Sequence, residues 1–247
     1  ARGRTTLFPS GDFSEELHSV RVYQEHWQLW HTYSVKAKAL QIKNPYTAQI
    51  TRNTPTAFIF LVDHSVSMKK MTSLYGEEMT MAEAAARIVN NQINNLVWRC
   101  VKMDDTRHYY DIAVVGYGVK AYSGWQGELE GRDFVSPEEL KNHPFTKITT
   151  RKETRTRKGV QVKEVEQVQW VSARCDGSWT HYHEAYDYAK SLLDEWMKEH
   201  HEKDCYPPTV IHITDGEFNH ATKDEVVQKA NELKAMFTND GNVILFN

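Results

Sequence analysis

Six consecutive apolar residues, Ala57-Phe58-Ile59-Phe60-Leu61-Val62, follow Pro55 and Thr56 and end at Asp63. A half-exposed strand alternates apolar and polar side chains. A run without alternation belongs to a strand covered on both faces, as in the middle of a parallel sheet. Such a strand obliges the rest of the chain to supply helices for both faces and further strands for both edges.

The sequence supplies them in turn. Thr80 and Glu83 stand at capping-box spacing, and Ala82, Ala85, Ala86, Val89, Ile93, Leu96, Val97 and Cys100 follow at helical intervals. Asp111–Tyr117 reads as a second strand, with Val119–Tyr122 as a short antiparallel return. A second helix carries Ala185, Ala189, Leu192, Leu193 and Trp196 on one face. Strand Thr209–Ile213 precedes another capping box, Thr222 and Glu225, and a helix expected to turn Val226, Ala230, Leu233 and Phe237 inward. Asn242–Phe246 closes as a short apolar strand. The pattern predicts an α/β fold: a doubly wound, mostly parallel sheet with helices on both faces and right-handed crossovers.

Two stretches stand outside this alternation. Residues 1–54 read as an N-terminal segment packed on or extending the domain of residues 55–247, with Tyr23, Trp27, Trp30 and Tyr33 as core packing. Residues 124–171 read as an insertion. It holds a helix start at Ser136-Pro137-Glu138-Glu139 and a β-hairpin turning near Lys158-Gly159. Asn247 follows directly on an apolar strand where sheets of this type end on a helix, so a continuation beyond it is expected and the domain is read as truncated there.

Composition narrows the function classes. With 40% apolar and 26% charged residues among 247, the chain can bury a core, and no apolar run approaches a membrane helix. A net charge of −3 implies no global attraction to nucleic acid or lipid. The N-terminus has no apolar stretch of signal-peptide type. Cys100, Cys175 and Cys205 are widely spaced without a CxxC, which argues against a disulfide framework or zinc site and for a reducing, cytoplasmic compartment.

Chemistry gathers where strands end. The first strand runs into Asp63-His64-Ser65-Val66-Ser67, and Thr209–Ile213 runs into Thr214-Asp215-Gly216-Glu217. Thr180 lies in Asp176-Gly177-Ser178-Trp179-Thr180, just before a helix. In open α/β sheets, ligands collect at the carboxyl ends of the strands. Hydroxyl oxygens with few carboxylates are hard donors that suit Mg²⁺ or Mn²⁺.

In this order and context, Asp63-x-Ser65-x-Ser67, the threonine before a helix and Thr214-Asp215-Gly216 resemble the metal-ion-dependent adhesion site of the von Willebrand factor A domain, over residues 55–246. The resemblance implies direct metal ligation by Ser65 and Ser67. It has Thr180 bound directly or through water, and Asp63 and Asp215 acting mostly through waters. One coordination position is left for a carboxylate of a partner protein. The expected cation is Mg²⁺, with Mn²⁺ or Ca²⁺ as alternatives. The sequence departs from the family where Gly177-Ser178-Trp179-Thr180 replaces the usual Gly-Gly-Thr. Ser178 is therefore an alternative ligand; Thr180 is preferred because Glu184-Ala185 follow at the family's spacing. Asp176 is an extra carboxylate that competes for the open position. The expected function is metal-dependent protein–protein binding by a non-enzymatic intracellular adaptor. Its partner presents Asp or Glu, and the resemblance implies an association with AAA+ ATPases, kinases or phosphatases. No membrane partner is expected.

Other readings are weaker. Gly116-Tyr117-Gly118-Val119-Lys120-Ala121 fits a dinucleotide-binding pattern but opens no helix, so it reads as a tight strand-to-strand turn. A haloacid-dehalogenase phosphatase needs a second acid two residues after the first, where Ser65 stands, and no nucleophile elbow, P-loop or HExxH occurs. The basic run Thr150–Lys158 reads as a solvated hairpin tip. A nucleic-acid module using hairpin 147–163 and a structural domain with a vestigial metal site are the competing functions. His181 and His183, two apart, are expected to point apart on a helix; His200-His201 suits a helix end, and His64 shapes the metal loop.

Overall fold

The computed structural model describes residues 44–103, 105–156, 159–217 and 221–247; the aromatic residues expected to pack between Tyr23 and Tyr33 lie outside them. Within the compact unit Pro45–Asn247, the chain runs through β1 (Thr56–Asp63), β2 (Met71–Leu74), β3 (Glu77–Thr80), α1 (Met81–Cys100), β4 (Val101–Lys102), β5 (Asp105–Thr106), β6 (Tyr110–Tyr117) and β7 (Ala121–Ser123). It continues through α2 (Pro137–Asn142), β8 (Thr146–Thr156), β9 (Gly159–Gln169), α3 (Tyr182–His200), β10 (Thr209–Ile213), α4 (Lys223–Ala235), β11 (Phe237–Thr238), β12 (Gly241–Asn242) and β13 (Ile244–Phe246).

The apolar run forms β1, the middle of a five-stranded sheet ordered β13-β10-β1-β6-β7. It pairs in parallel with β6 from Thr56 to Asp63 and with β10 from Phe58 to Val62. The chain winds outward from β1 to β6, then crosses back to β10 and on to β13, so the winding direction reverses beside β1. Helices on opposite faces follow from that reversal. Phe60 and Val62 pack with Val89, Ile93 and Val97 of α1. Ile59 and Leu61 pack on the other face with Ala185, Ala189 and Leu193 of α3 and Leu233 of α4. Both faces of β1 are thus covered, as its unbroken hydrophobicity requires.

The three helix starts read from sequence are reciprocal capping boxes at Thr80 with Glu83, Ser136 with Glu139 and Thr222 with Glu225. Phe237 departs from expectation. Helix α4 ends at Ala235, and Met236 enters an extended conformation, so Phe237 lies on β11 and is 70% exposed. Helical spacing holds only while the helix does, and Val243 fills the core position instead. The closing strand also begins later than read, at Ile244, because Asn242 is used in the β11–β12 pair.

The 124–171 stretch touches the central sheet at Val135, while its hairpin forms a separate two-stranded sheet. Val135 exchanges both backbone hydrogen bonds with Ile112, extending the edge of β6 beyond β7. Trp125, Leu129, Val135, Leu140 and Trp170 are buried against the α1 side of the core. The hairpin β8–β9 pairs from Thr146↔Gln169 to Thr156↔Gly159; Arg157 and Lys158, the end of the basic run and part of the expected turn, lie outside the described residues. Asn90 of α1 fastens this stretch. Its amide nitrogen donates to the Ala86 and Val171 carbonyls, both at 2.8 Å, and its oxygen accepts from the Trp170 and Val171 N–H groups at 2.7 and 3.2 Å. At the other end, Asp240 is buried and accepts from the backbone N–H groups of Thr47 and Ala48, each at 3.0 Å.

Replacing Asn90 by Ala strands two N–H donors and a carbonyl in the core, and each stranded group costs its desolvation. Asn90→Ala should lower unfolding free energy by about 3 kcal/mol, measured by urea denaturation. A loss below about 1 kcal/mol would show that the 170–171 segment finds other partners.

Candidate functional site

The site begins where β1 runs out of apolar residues. Asp63 is fully buried, so both carboxylate oxygens need donors. Oδ1 accepts from the Ser65 N–H at 2.8 Å, an Asx-type turn that bends the chain off the strand. Oδ2 accepts from the Thr214 hydroxyl at 2.8 Å, which ties the end of β10 to the end of β1. Burial pushes the Asp63 carboxyl up, the bonds from Ser65 and Thr214 pull it down, and the nearby Asp215 charge adds to the rise.

The turn continues as one 3-10 turn over Val66–Lys69, with Met68 anchored in the core. That curvature brings the Ser65 and Ser67 hydroxyl oxygens to 2.9 Å from one another. Asp215 follows Thr214 directly. Its side chain is only 2% exposed; Oδ1 accepts from the Glu217 N–H at 3.1 Å, and Oδ2 lies 3.4 Å from the Lys70 ammonium. Lys70 also pairs with Glu217 at 2.5 Å.

The third loop is placed by backbone. The Gly177 N–H donates to the His64 carbonyl at 2.9 Å, Ser65 and Gly177 form a parallel bridge, and the His181 N–H donates to the Gly118 carbonyl at 2.9 Å. Gly118 and Gly177 meet so closely that a Cβ on either would stand 3.1 Å from the Cα of the other. Thr180, at the end of this loop, is buried, whereas Ser178 and Trp179 are exposed. The third motif is thus brought beside the first, with its threonine rather than its serine turned inward. Asp176 pairs with Arg174 at 2.8 Å, and the Arg174 guanidinium lies over the Tyr122 ring at 5.1 Å. His64 meets the Tyr122 hydroxyl through Nδ1 at 2.5 Å, and burial lowers its pKa to about 4. The 116–118 glycines are confirmed as part of the β6–β7 antiparallel turn.

A buried polar layer supports the rim. The Tyr182 hydroxyl donates to Thr214 Oγ1 at 2.6 Å, since that oxygen's own proton is committed to Asp63. Tyr117 and Tyr186 hydroxyls flank His212 at Nε2 (2.6 Å) and Nδ1 (3.0 Å). A neutral imidazole carries one donor and one acceptor, so one tyrosine gives and the other receives. Burial lowers the His212 pKa to about 4.

His181 and His183 do not point apart: their rings stack at 5.2 Å. His181 is the N-cap of α3, with non-helical φ and ψ of −100° and 84°, so helical spacing does not govern its ring. His200 and His201 cap the carbonyls of Trp196 and Lys198 at the helix end. Among the described residues, no three His, Cys, Asp or Glu side chains are grouped to hold a metal. The rim instead offers hydroxyls backed by two carboxylates. Thr214 stood inside a motif singled out from sequence without being assigned a role. Tyr182 and Lys70 were missed, because nothing in a tyrosine at a helix start or a lysine after a turn signals such contacts.

The chain matches no protein-family model and no curated protein sequence. Among solved structures it is similar to a fragment with three N-terminal domains of the type V pili tip protein Mfa5 from Porphyromonas gingivalis. The identity is 11% and the TM-score 0.34, over 69% of this chain and 22% of that one. It is also similar to the vWF domain of the same protein, at 12% identity and TM-score 0.35, over 71% of this chain and 44% of that one. The α/β fold is defined by the strand order β13-β10-β1-β6-β7 with helices on both faces.

Two outcomes follow. His212 stays neutral in the folded protein while its unfolded counterpart protonates below its ordinary pKa of 6.5. The folded state therefore binds fewer protons, and stability falls as pH drops from 6.5 toward about 4. Between pH 7 and 4.5 this group should remove about 2.5 kcal/mol, and His212→Gln should make that part of the urea-denaturation profile shallower by its share, leaving the share of His64. Gly177→Ala should push the third loop off the His64 carbonyl, seen as a lower melting temperature and faster amide exchange at Gly177's neighbours. An unchanged melt would mean that the loop yields without cost.

Proposed function

We propose that the rim holds a divalent cation through which the domain binds a carboxylate of a partner protein. The observation that carries this reading is the 2.9 Å approach of the Ser65 and Ser67 hydroxyl oxygens beside the buried, doubly bonded Asp63. Adjacent oxygens around an octahedral Mg²⁺ are separated by about 2.9 Å when each lies 2.0–2.1 Å from the metal. The two serines are therefore spaced as neighbouring ligands. Thr180 is the third candidate ligand. Asp63, with both oxygens already engaged, is suited to orient Ser65 and hold charge nearby, and Asp215 to bind water around the cation.

Bound largely by neutral hydroxyls, a dication keeps positive charge to offer. It would attract an aspartate or glutamate from outside, a charge-assisted contact beside a partly dry floor. Asp176, paired with Arg174, is poorly placed to act as an internal competitor. The reading is one of binding without turnover, with Mg²⁺ as the cation and an acidic protein surface as the partner. The described cysteines, all free, suit an adaptor of a reducing compartment. Among the described residues no helix is long and apolar enough to cross a membrane.

The test is a thermal melt in EDTA and then in Mg²⁺ or Mn²⁺. Cation at a hundredfold excess over Kd should add about 2.7 kcal/mol of stability to the wild type and none to Ser65→Ala/Ser67→Ala. Equal melts in EDTA and metal for the wild type would overturn the reading.

A further inference from the structure

The rim already contains a cation of its own. Lys70 follows the turn that carries Ser67; its N–H donates to the Ser67 carbonyl at 3.1 Å, and its carbonyl accepts from the Met81 N–H at 2.8 Å. The stem is thereby rooted on the serine turn, and the ammonium reaches across to the Asp215 loop. There Asp215 Oδ1 is occupied by the Glu217 N–H, and the ammonium lies at Oδ2, the oxygen that the backbone leaves over. Glu217 holds the same ammonium from the far side at 2.5 Å. The Asp215 side chain is 2% exposed and that of Lys70 49%, so the lysine forms the outer layer over that carboxylate.

We propose that Lys70 is a built-in counter-ion that competes with the divalent cation for Asp215, so that cation entry requires the Lys70–Glu217 strap to release the rim. The proposal rests on the metal-binding reading above. Two positive charges sharing one carboxylate repel, whereas either alone is stabilised by it. Lys70 thus offsets part of the negative charge of the cation-free rim and sets a threshold for metal. It also makes metal occupancy readable at the surface, since a displaced lysine and a freed Glu217 change the charge that a partner meets.

The experiment is isothermal titration of MnCl₂ into the EDTA-stripped chain, comparing wild type, Lys70→Met and Lys70→Arg, each first checked for an intact melt. Lys70→Met keeps the apolar stem and should tighten Mn²⁺ binding about tenfold, while Lys70→Arg should stay near wild type. The difference between wild type and Lys70→Met should shrink in high salt. Equal or weaker binding by Lys70→Met, with the wild type binding Mn²⁺, overturns the role of Lys70 alone. Binding by none of the three proteins overturns the metal reading and this proposal together.

Discussion

A carboxylate placed out of contact with water at the end of the central strand imposes most of what surrounds it. Asp63 terminates β1 where the strand is still paired with β6 and has just left β10, and it is fully buried. A buried charge persists only when donors meet it. One donor is local, the Ser65 N–H, and it fixes the turn that brings the serine hydroxyls together. The other is remote, the Thr214 hydroxyl, and it draws in Tyr182 of α3 behind it. Satisfying one side chain therefore joins two strand ends and a helix start into a single floor.

Below that floor the sheet is ordinary in its economy. Side chains of β1 and β6 alternate between the α1 face and the α3 face, and each set meets a helix. Three of the buried polar residues are held on every side: His212 between two tyrosines, Asn90 with four bonds to backbone, Asp240 under the incoming chain at Thr47 and Ala48. Each sits where an element from elsewhere in the sequence has to be held in place. Polar burial here marks junctions, whereas apolar burial fills the layers between them.

What could be read beforehand follows the range of the interaction. The β1 run, the capping boxes and the bend after Asp63 depend on residues within a few positions of one another, and all are present as read. Phe237 falls outside the core because periodicity does not announce where a helix stops. The stacking of His181 and His183 was misread for the related reason that one of them precedes the helix. Asn90 interrupts the apolar stripe of α1 as a single polar residue, and its partners lie 80 and 81 positions away. Lys70 reaches Asp215 across 145 positions. No local pattern encodes such pairings; they exist only once the strand order is in place. Of the rim, the serine turn and the meeting of the three loops were legible, while the lysine strap and the tyrosine support were not.

The bond between Asp63 and Thr214 spans 151 positions. Closing a contact of that separation costs chain entropy that local bonds alone do not offset, so it depends on the packing of the elements between. Without β10 beside β1, the Asp63 turn would have no Thr214 to hold its second oxygen, which would be left to water. The sealed carboxylate, with both oxygens held and out of contact with water, exists only where β10 lies beside β1. The rim works as a proofreading mark for topology: a chain that displays it intact has wound its sheet in both directions.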